Sequence, residues 1–161
     1  MTRIMKTCWN ENQHLLRAHL AGRRDLNTIE YTELVKTTLN YIYNCSDQVD
    51  LYRRLDLEHL TEVDDGDYQG TRLFIVPFRG YQPSESDYII TFVNYGSCSG
   101  CDTLLNIQEW HREGEAATER QLNDFMVLCK DIVCNAVKPF NYGWREDAGW
   151  LPAEEDGAYE P

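Results

Sequence analysis

Between residues 116 and 137, apolar residues recur at steps of three and four: Leu122, Phe125, Met126, Cys129, Ile132, Val133 and Ala136. That is the period of one buried helix face. It predicts a long helix from about Ala116 to Val137, ended by Lys138-Pro139 because the residue before a proline is pushed out of the helical region. The same period runs through Tyr31, Leu34, Val35, Thr38, Leu39, Ile42 and Cys45. Here it predicts a helix capped by Asn27 or Thr28 and reaching about Asn44, with Cys45 as core filler on the stripe. Ahead of it, Asn10 followed by Gln13 resembles a capping box. A shorter helix through Leu15, Leu16, Ala18 and Leu20 is expected to stop at Gly22.

The middle of the chain changes period. Leu51, Leu55 and Leu57 suit a short helix that feeds a strand at His59 to Val63. Asp64-Asp65-Gly66-Asp67-Tyr68-Gln69-Gly70 is a turn by composition. Thr71 to Phe78 then alternates, with Leu73, Ile75 and Pro77 on one face and Phe74, Val76 and Phe78 on the other. Both faces are apolar, which predicts a strand covered on both sides, and Pro77 marks its end or an edge. After a loop from Arg79 to Ser86, Asp87 to Tyr95 reads as the returning strand. A helix from Asp102 to about Trp110 follows, broken at His111-Arg112-Glu113-Gly114. The elements predict an α+β fold, a small antiparallel meander of about three strands packed against several helices, with the long C-terminal helix as main cover.

Length and charge narrow the picture. A chain of 161 residues is expected to form one domain able to bury a core without disulfides. We assign residues 1–144 to this α+β domain and residues 145–161 to an acidic, aromatic C-terminal extension. The extension holds six acids against one arginine, so it carries five of the twelve net negative charges, and seven remain on residues 1–144. A net charge of −12 argues against direct nucleic-acid binding through phosphate neutralisation. No run of about 18 apolar residues is present, so no membrane span is expected. The N-terminus is basic without an apolar signal-peptide centre. The expected compartment is the cytoplasm, with six cysteines that are free rather than bridged.

Candidate chemistry gathers at Tyr95-Gly96-Ser97-Cys98-Ser99-Gly100-Cys101-Asp102. Here a strand meets a helix through a Gly/Ser turn that carries a Cys-x-x-Cys pair. Cys98 is expected just before the helix, where unpaired amides and the helix dipole favour a thiolate. Cys101 is expected inside the first turn and facing inward, since Leu104 and Leu105 follow it by three and four residues. Zinc would need two further ligands, and no second closely spaced pair exists. No cofactor is therefore predicted, zinc remaining the alternative. A thioredoxin-like reading lacks its βαβ crossover and a later proline-bearing strand. Asp64, Asp65 and Asp67 form an acidic run, but calcium would need an acid where Ile75 stands. The default for the run is a solvated turn, and for the cysteines a small-residue packing turn. Arg23-Arg24 and Arg53-Arg54 suit surface ion pairing.

The segments Asp64-Asp65-Gly66-Asp67-Tyr68-Gln69-Gly70 and Tyr95-Gly96-Ser97-Cys98-Ser99-Gly100-Cys101-Asp102-Thr103-Leu104 resemble stretches of uncharacterised small proteins encoded by tailed bacteriophages. The resemblance spans roughly residues 57 to 110. It implies an origin in a phage or prophage and expression in the bacterial host cytoplasm, and it transfers no activity.

Three functional expectations result. The first is an acidic interaction protein that occupies a basic surface on a host or defence-system protein, with Trp150 and Tyr159 as aromatic anchors. It rests on charge and on the lack of a complete catalytic set, so it leans away from an enzyme. The second is a dithiol redox or zinc-binding protein built on Cys98 and Cys101. The third is a metal-dependent enzyme using Asp64, Asp65 and Asp67.

Overall fold

The computed structural model describes residues 3–80, 82–84, 86–109, 112 and 114–138. The C-terminal stripe forms α4, Glu119–Cys134, three residues shorter at each end than its apolar period suggests. Its start is set by polar chemistry rather than by the stripe. Thr118 Oγ1 accepts from the Gln121 N–H at 3.3 Å, and Gln121 Oε1 accepts from the Thr118 N–H at 3.0 Å. This reciprocal box satisfies two helix-end donors at once. Leu122, Phe125, Leu128, Cys129, Ile132 and Val133 are buried along α4, while Met126 is half-buried.

Two N-terminal helices pack against it. α1 spans Arg3–Gly22, with Met5, Cys8, Trp9, Asn12, Leu16 and Leu20 buried. The helix therefore starts about two turns before Asn10, which lies exposed within it and caps nothing. α2 spans Tyr31–Leu39 and starts at Glu30, whose side chain makes no cap hydrogen bond. Neither Asn27 nor Thr28 caps it. Thr28 instead closes the preceding turn, its N–H and hydroxyl both donating to the Asp25 carbonyl at 3.1 Å.

α2 runs into a π-helical turn at Asn40–Asn44, and this corrects the reading of Cys45. The wider turn, closed by the Cys45 N–H donating to the Asn40 carbonyl at 3.0 Å, rotates later residues out of the α-helical phase. Tyr43 and Asn44 turn inward, and Cys45 is exposed. Asn44 then pins the next segment through both groups of its amide. Its Oδ1 accepts from the Leu55 N–H at 2.7 Å, and its Nδ2 donates to the Leu55 carbonyl at 3.0 Å.

Single 3₁₀ turns at Leu51–Arg53 and Leu57–His59 lead into the sheet. Its strands are β1 (Thr61–Asp64), β2 (Gly70–Pro77) and β3 (Tyr88–Tyr95), antiparallel in the order β1-β2-β3. Phe74, Val76, Ile89, Thr91 and Val93 are buried on the helix-facing side. The Thr91 hydroxyl donates to the Ile132 carbonyl at 2.6 Å, tying β3 to α4. The opposite face is less covered than its apolar character suggests. Leu73, Ile75, Ile90 and Phe92 are half-buried there, and Val63 is 46% exposed. Val137 pairs with Ile90 beyond α4. α3, Thr103–Gln108, lies between β3 and α4 in the chain and packs on α4. No helix among the described residues is long and apolar enough to cross a membrane. The extension assigned to residues 145–161, with Trp150 and Tyr159, lies outside the described residues.

Candidate functional site

The β1–β2 turn and the turn after β3 lie at the same end of the sheet, because Gly70 pairs with Tyr95 and Asp64 with Arg72. Asp64, Asp65, Asp67, Cys98 and Cys101 are thus brought to one end of the molecule, and all five are exposed. The acids do not converge as a metal cluster. Asp64 Oδ1 accepts from the Tyr95 hydroxyl at 2.6 Å and from the Gly66 N–H at 3.1 Å. Asp65 Oδ1 accepts from the Thr71 N–H at 2.6 Å, which closes the turn. Gly66 is required in this turn because a Cβ there would stand 2.2 Å from the Gln69 carbonyl oxygen. Asp67 instead lines an adjacent cleft. Among the described residues, no group of three or more His, Cys, Asp or Glu side chains is arranged to hold a metal ion.

Tyr95 and Asp64 shift one another. The Tyr95 hydroxyl and the Gly66 N–H hold the Asp64 carboxyl below the usual carboxylate range. The bond to Asp64 leads the causes that push the Tyr95 phenol up to about 12. Arg72 lies beside them. Its guanidinium carbon is 5.0 Å from the Tyr95 ring centroid and 5.9 Å from that of Tyr31, within cation–π range. It faces Glu62 and Asp64, each at 3.5 Å. The Nε of Arg72 is shielded from water and makes no hydrogen bond, Asp64 Oδ2 lying 3.5 Å away.

The cysteine turn is organised by Asp102, which is 5% exposed. Asp102 is the N-cap of α3, and its Oδ1 accepts from the Leu105 N–H at 2.9 Å. The same oxygen accepts from the Tyr31 hydroxyl at 2.9 Å, and Oδ2 accepts from the Gly96 N–H at 3.2 Å. The Leu104 N–H in turn donates to the Tyr31 oxygen at 3.2 Å. One carboxylate therefore joins α2, the end of β3 and α3. A buried charge held by three donors fixes geometry, and losing it would strand those donors. Burial, ahead of the nearby Asp102 charge, raises the Tyr31 pKa above its ordinary value, so the phenol stays protonated as a donor.

With the cap at Asp102, both cysteines precede the helix, and the expected placement of Cys101 in its first turn is corrected. Cys101 is also exposed rather than inward, because Leu104 and Ile107 supply the buried contacts of α3. The Cys98 carbonyl accepts from the N–H groups of Cys101 and Asp102, both at 2.9 Å. That folds the turn back on itself and sets Cys98 Sγ and Cys101 Sγ 2.8 Å apart. Cys101 Sγ also accepts from the Cys98 N–H at 3.1 Å and lies 3.2 Å from the Cys98 carbonyl oxygen. Gly96 makes this possible, since a Cβ there would meet Cys101 Sγ at 2.4 Å. The hydrogen bond with Cys98 leads the causes that hold the Cys101 thiol below its ordinary value. Backbone donors of Cys98 and Ser97 add to it and burial opposes it.

The turn forms one wall of a cleft of about 270 Å³, to which Gly96, Ser97 and Asp102 contribute. Glu30, Asp67, Tyr68, Arg72 and Leu105 are among the residues that line the rest. Tyr31, Arg72 and Asp102 were not singled out as site residues by sequence reasoning. Asp102 had a usable signal as an Asp directly before the Thr103-Leu104-Leu105 run. Tyr31 read as one more apolar stripe position. No protein-family model, curated protein or solved structure matches the chain.

Proposed function

We propose that the protein acts as a dithiol carrier, exchanging Cys98 and Cys101 with a disulfide of a partner molecule. The observation that supports this most directly is the 2.8 Å separation of two exposed thiols in a turn that needs no rearrangement to bring them together. Cys101 is taken as the attacking group, because its Sγ accepts from the Cys98 N–H at 3.1 Å and has the Cys98 thiol 2.8 Å away, donors that favour its thiolate. Its thiolate attacks one sulfur of a disulfide R–S–S–R′. The S–S bond breaks, R′S⁻ leaves and takes a proton from water, and Cys101 is left in a mixed disulfide with R. Cys98 then loses its proton and attacks Cys101 Sγ, releasing RS⁻. The protein ends as the Cys98–Cys101 disulfide and the partner as two thiols, so two electrons pass from protein to partner. Redox exchange is favoured over zinc because only two thiolate ligands meet at the turn, short of the usual four.

The test is equilibration in redox buffers of graded thiol-to-disulfide ratio, followed by alkylation and mass measurement. Loss of two hydrogens, confined to the peptide containing Cys98 and Cys101 and with a defined midpoint, is the expected result. A peptide that stays fully alkylatable across the series would sink the proposal.

A second reading, as an acidic interaction protein for a basic surface on a phage host's enzyme or defence system, is favoured by the carboxylates around the cleft. Glu30 and Asp67 share its lining with Arg72, the one cation among the described lining residues, and Glu62 and Asp64 each lie 3.5 Å from Arg72. Binding of a captured host protein should then weaken as salt rises and weaken further on removal of residues 145–161. Affinity indifferent to both changes would exclude this reading.

A further inference from the structure

Resting on the dithiol reading, we infer that the partner disulfide is flanked by a basic residue, and that Glu30 and Asp67 select it. The cleft begins where the cysteine turn ends. Gly96, Ser97 and Asp102 belong to both, and a Cβ at Gly96 would stand 2.4 Å from Cys101 Sγ, so a chain held by its sulfur at Cys101 lies beside the cleft, within reach of a neighbouring side chain. That space suits a long cationic side chain in two respects. Tyr68, 81% exposed, and Leu105, 42% exposed, offer apolar surface to an aliphatic stem. Glu30 and Asp67 are exposed at the wall, and neither carboxylate makes a hydrogen bond or ion pair among the described residues. Glu30 sits at the N-cap of α2 without using its side chain as a cap.

The one cation among the described lining residues does not cancel this field. Arg72 already faces Glu62 and Asp64 and lies against the Tyr31 and Tyr95 rings. Asp102 is likewise committed to Tyr31, Gly96 and Leu105. The free carboxylates are therefore Glu30 and Asp67, which attract a cationic flank and repel an anionic one. Charge of this kind changes encounter rates most where a concave wall concentrates it. A disulfide such as oxidised glutathione, anionic on both halves, is a poor substrate on this account, and a lysine- or arginine-flanked protein disulfide a good one.

The test uses the full chain and three short peptides, each carrying the same aromatic thiol leaving group on its cysteine and differing only in a neighbouring Lys, Gln or Glu. Release of the leaving group gives the first exchange step, and mass measurement shows whether the Cys98–Cys101 disulfide follows. At low salt the Lys peptide should react on the order of tenfold faster than the Glu peptide, with the Gln peptide between them. Raising ionic strength should compress that ratio. In E30Q/D67N the ratio should fall close to one. Equal rates for the three peptides overturn the inference, and so does a Lys preference that survives in E30Q/D67N. Both outcomes leave dithiol exchange itself standing. Failure of every peptide to yield the intramolecular disulfide would instead overturn the dithiol reading beneath it.

Discussion

Cys8 and Cys129 lie in the helical core, with 0% of each exposed, while Cys98 and Cys101 sit in an open turn at the sheet end. The side chain is the same and its environments are opposite. Burial pushes the Cys129 thiol up to about 12 and raises that of Cys8 as well. In the turn, a neighbouring thiol and backbone donors pull Cys101 the other way. Buried cysteine is a small hydrophobe, and a thiolate needs donors or water to be stable. Reactivity here is set by which element carries the sulfur. On α1 and α4 a cysteine fills space on a stripe, and in the Gly/Ser turn it meets amides.

The largest expected effect is on labelling. Under native conditions a thiol reagent should modify Cys98 and Cys101 roughly a thousandfold or more faster than Cys8 and Cys129, which react only when the fold opens. Site-resolved mass spectrometry over time measures this. Labelling of Cys129 at the rate of Cys101 would erase the contrast. Next comes the core itself. Phe125 is 0% exposed, and Phe125→Ala should cost about 3–5 kcal/mol of stability, seen as a lowered denaturation midpoint. Its second readout is faster labelling of Cys129, four residues along the same stripe, with little change at Cys101. If Cys101 accelerates as much as Cys129, the two regions unfold as one unit and the distinction holds only chemically.

The sequence made the core more legible than the turn, for a physical reason. Leu122, Phe125, Cys129 and Ile132 repeat a period, and a period survives errors of a residue or two. The three-strand meander was legible in the same way from alternation in 71–78 and 87–95. Where local hydrogen bonding overrides the period, the reading failed. The π turn at Asn40–Asn44 carries Cys45 off its stripe, and the Thr118 box starts α4 later than its apolar pattern suggests. Counting back from Leu104 places Cys101 inward, but the count does not apply outside the helix that Asp102 begins. Two turns far apart in sequence meet because of strand register, Gly70 opposite Tyr95. Alternation alone does not fix register, so the cleft was not legible. The bonds from Tyr31 and Gly96 to Asp102 depend on the same tertiary placement.

A smaller effect separates the turn from the helices by sterics. Gly96→Ala places a Cβ 2.4 Å from Cys101 Sγ and 2.7 Å from its carbonyl oxygen. Overpacking of this kind typically costs about 1–3 kcal/mol, and the sulfur must move to relieve it. The variant should lose stability and form the Cys98–Cys101 disulfide less readily. Gly22→Ala is the matched control, since nothing lies within 4 Å of a Cβ at that exposed helix end. It should be neutral or slightly stabilising, by at most about 1 kcal/mol. If G96A oxidises as readily as the wild type, the close approach of turn and thiol is not what sets them together.

The smallest effect in the ordinary working range is the pH dependence that the buried thiols impose. Cys129 has its pKa raised from the ordinary 9.0 to about 12 by burial, so between those values the folded chain keeps a proton that the unfolded chain releases. Stability rises with pH only where the unfolded state binds more protons, and here it binds fewer. The contribution is therefore fully present below pH 9 and is lost as pH climbs toward 12, at no more than about 1.4 kcal/mol per pH unit for one group. Cys8 shifts in the same direction and adds to the slope. The Tyr31 and Tyr43 phenols, raised chiefly by burial, join from about pH 10. Near neutrality none of these groups matters. Denaturation curves of the wild type and Cys129→Ala at pH 7.5 and pH 10 isolate the effect. Cys129→Ala should be the less stable protein at both pH values, since it leaves a small cavity, but the deficit should shrink by about 1 kcal/mol at pH 10. Replacing Cys101, whose pKa is lowered, should produce no such narrowing. A deficit for Cys129→Ala that is the same at both pH values would show that the core sulfur ionises as freely as the exposed one, and the difference between the two regions would then be one of access alone.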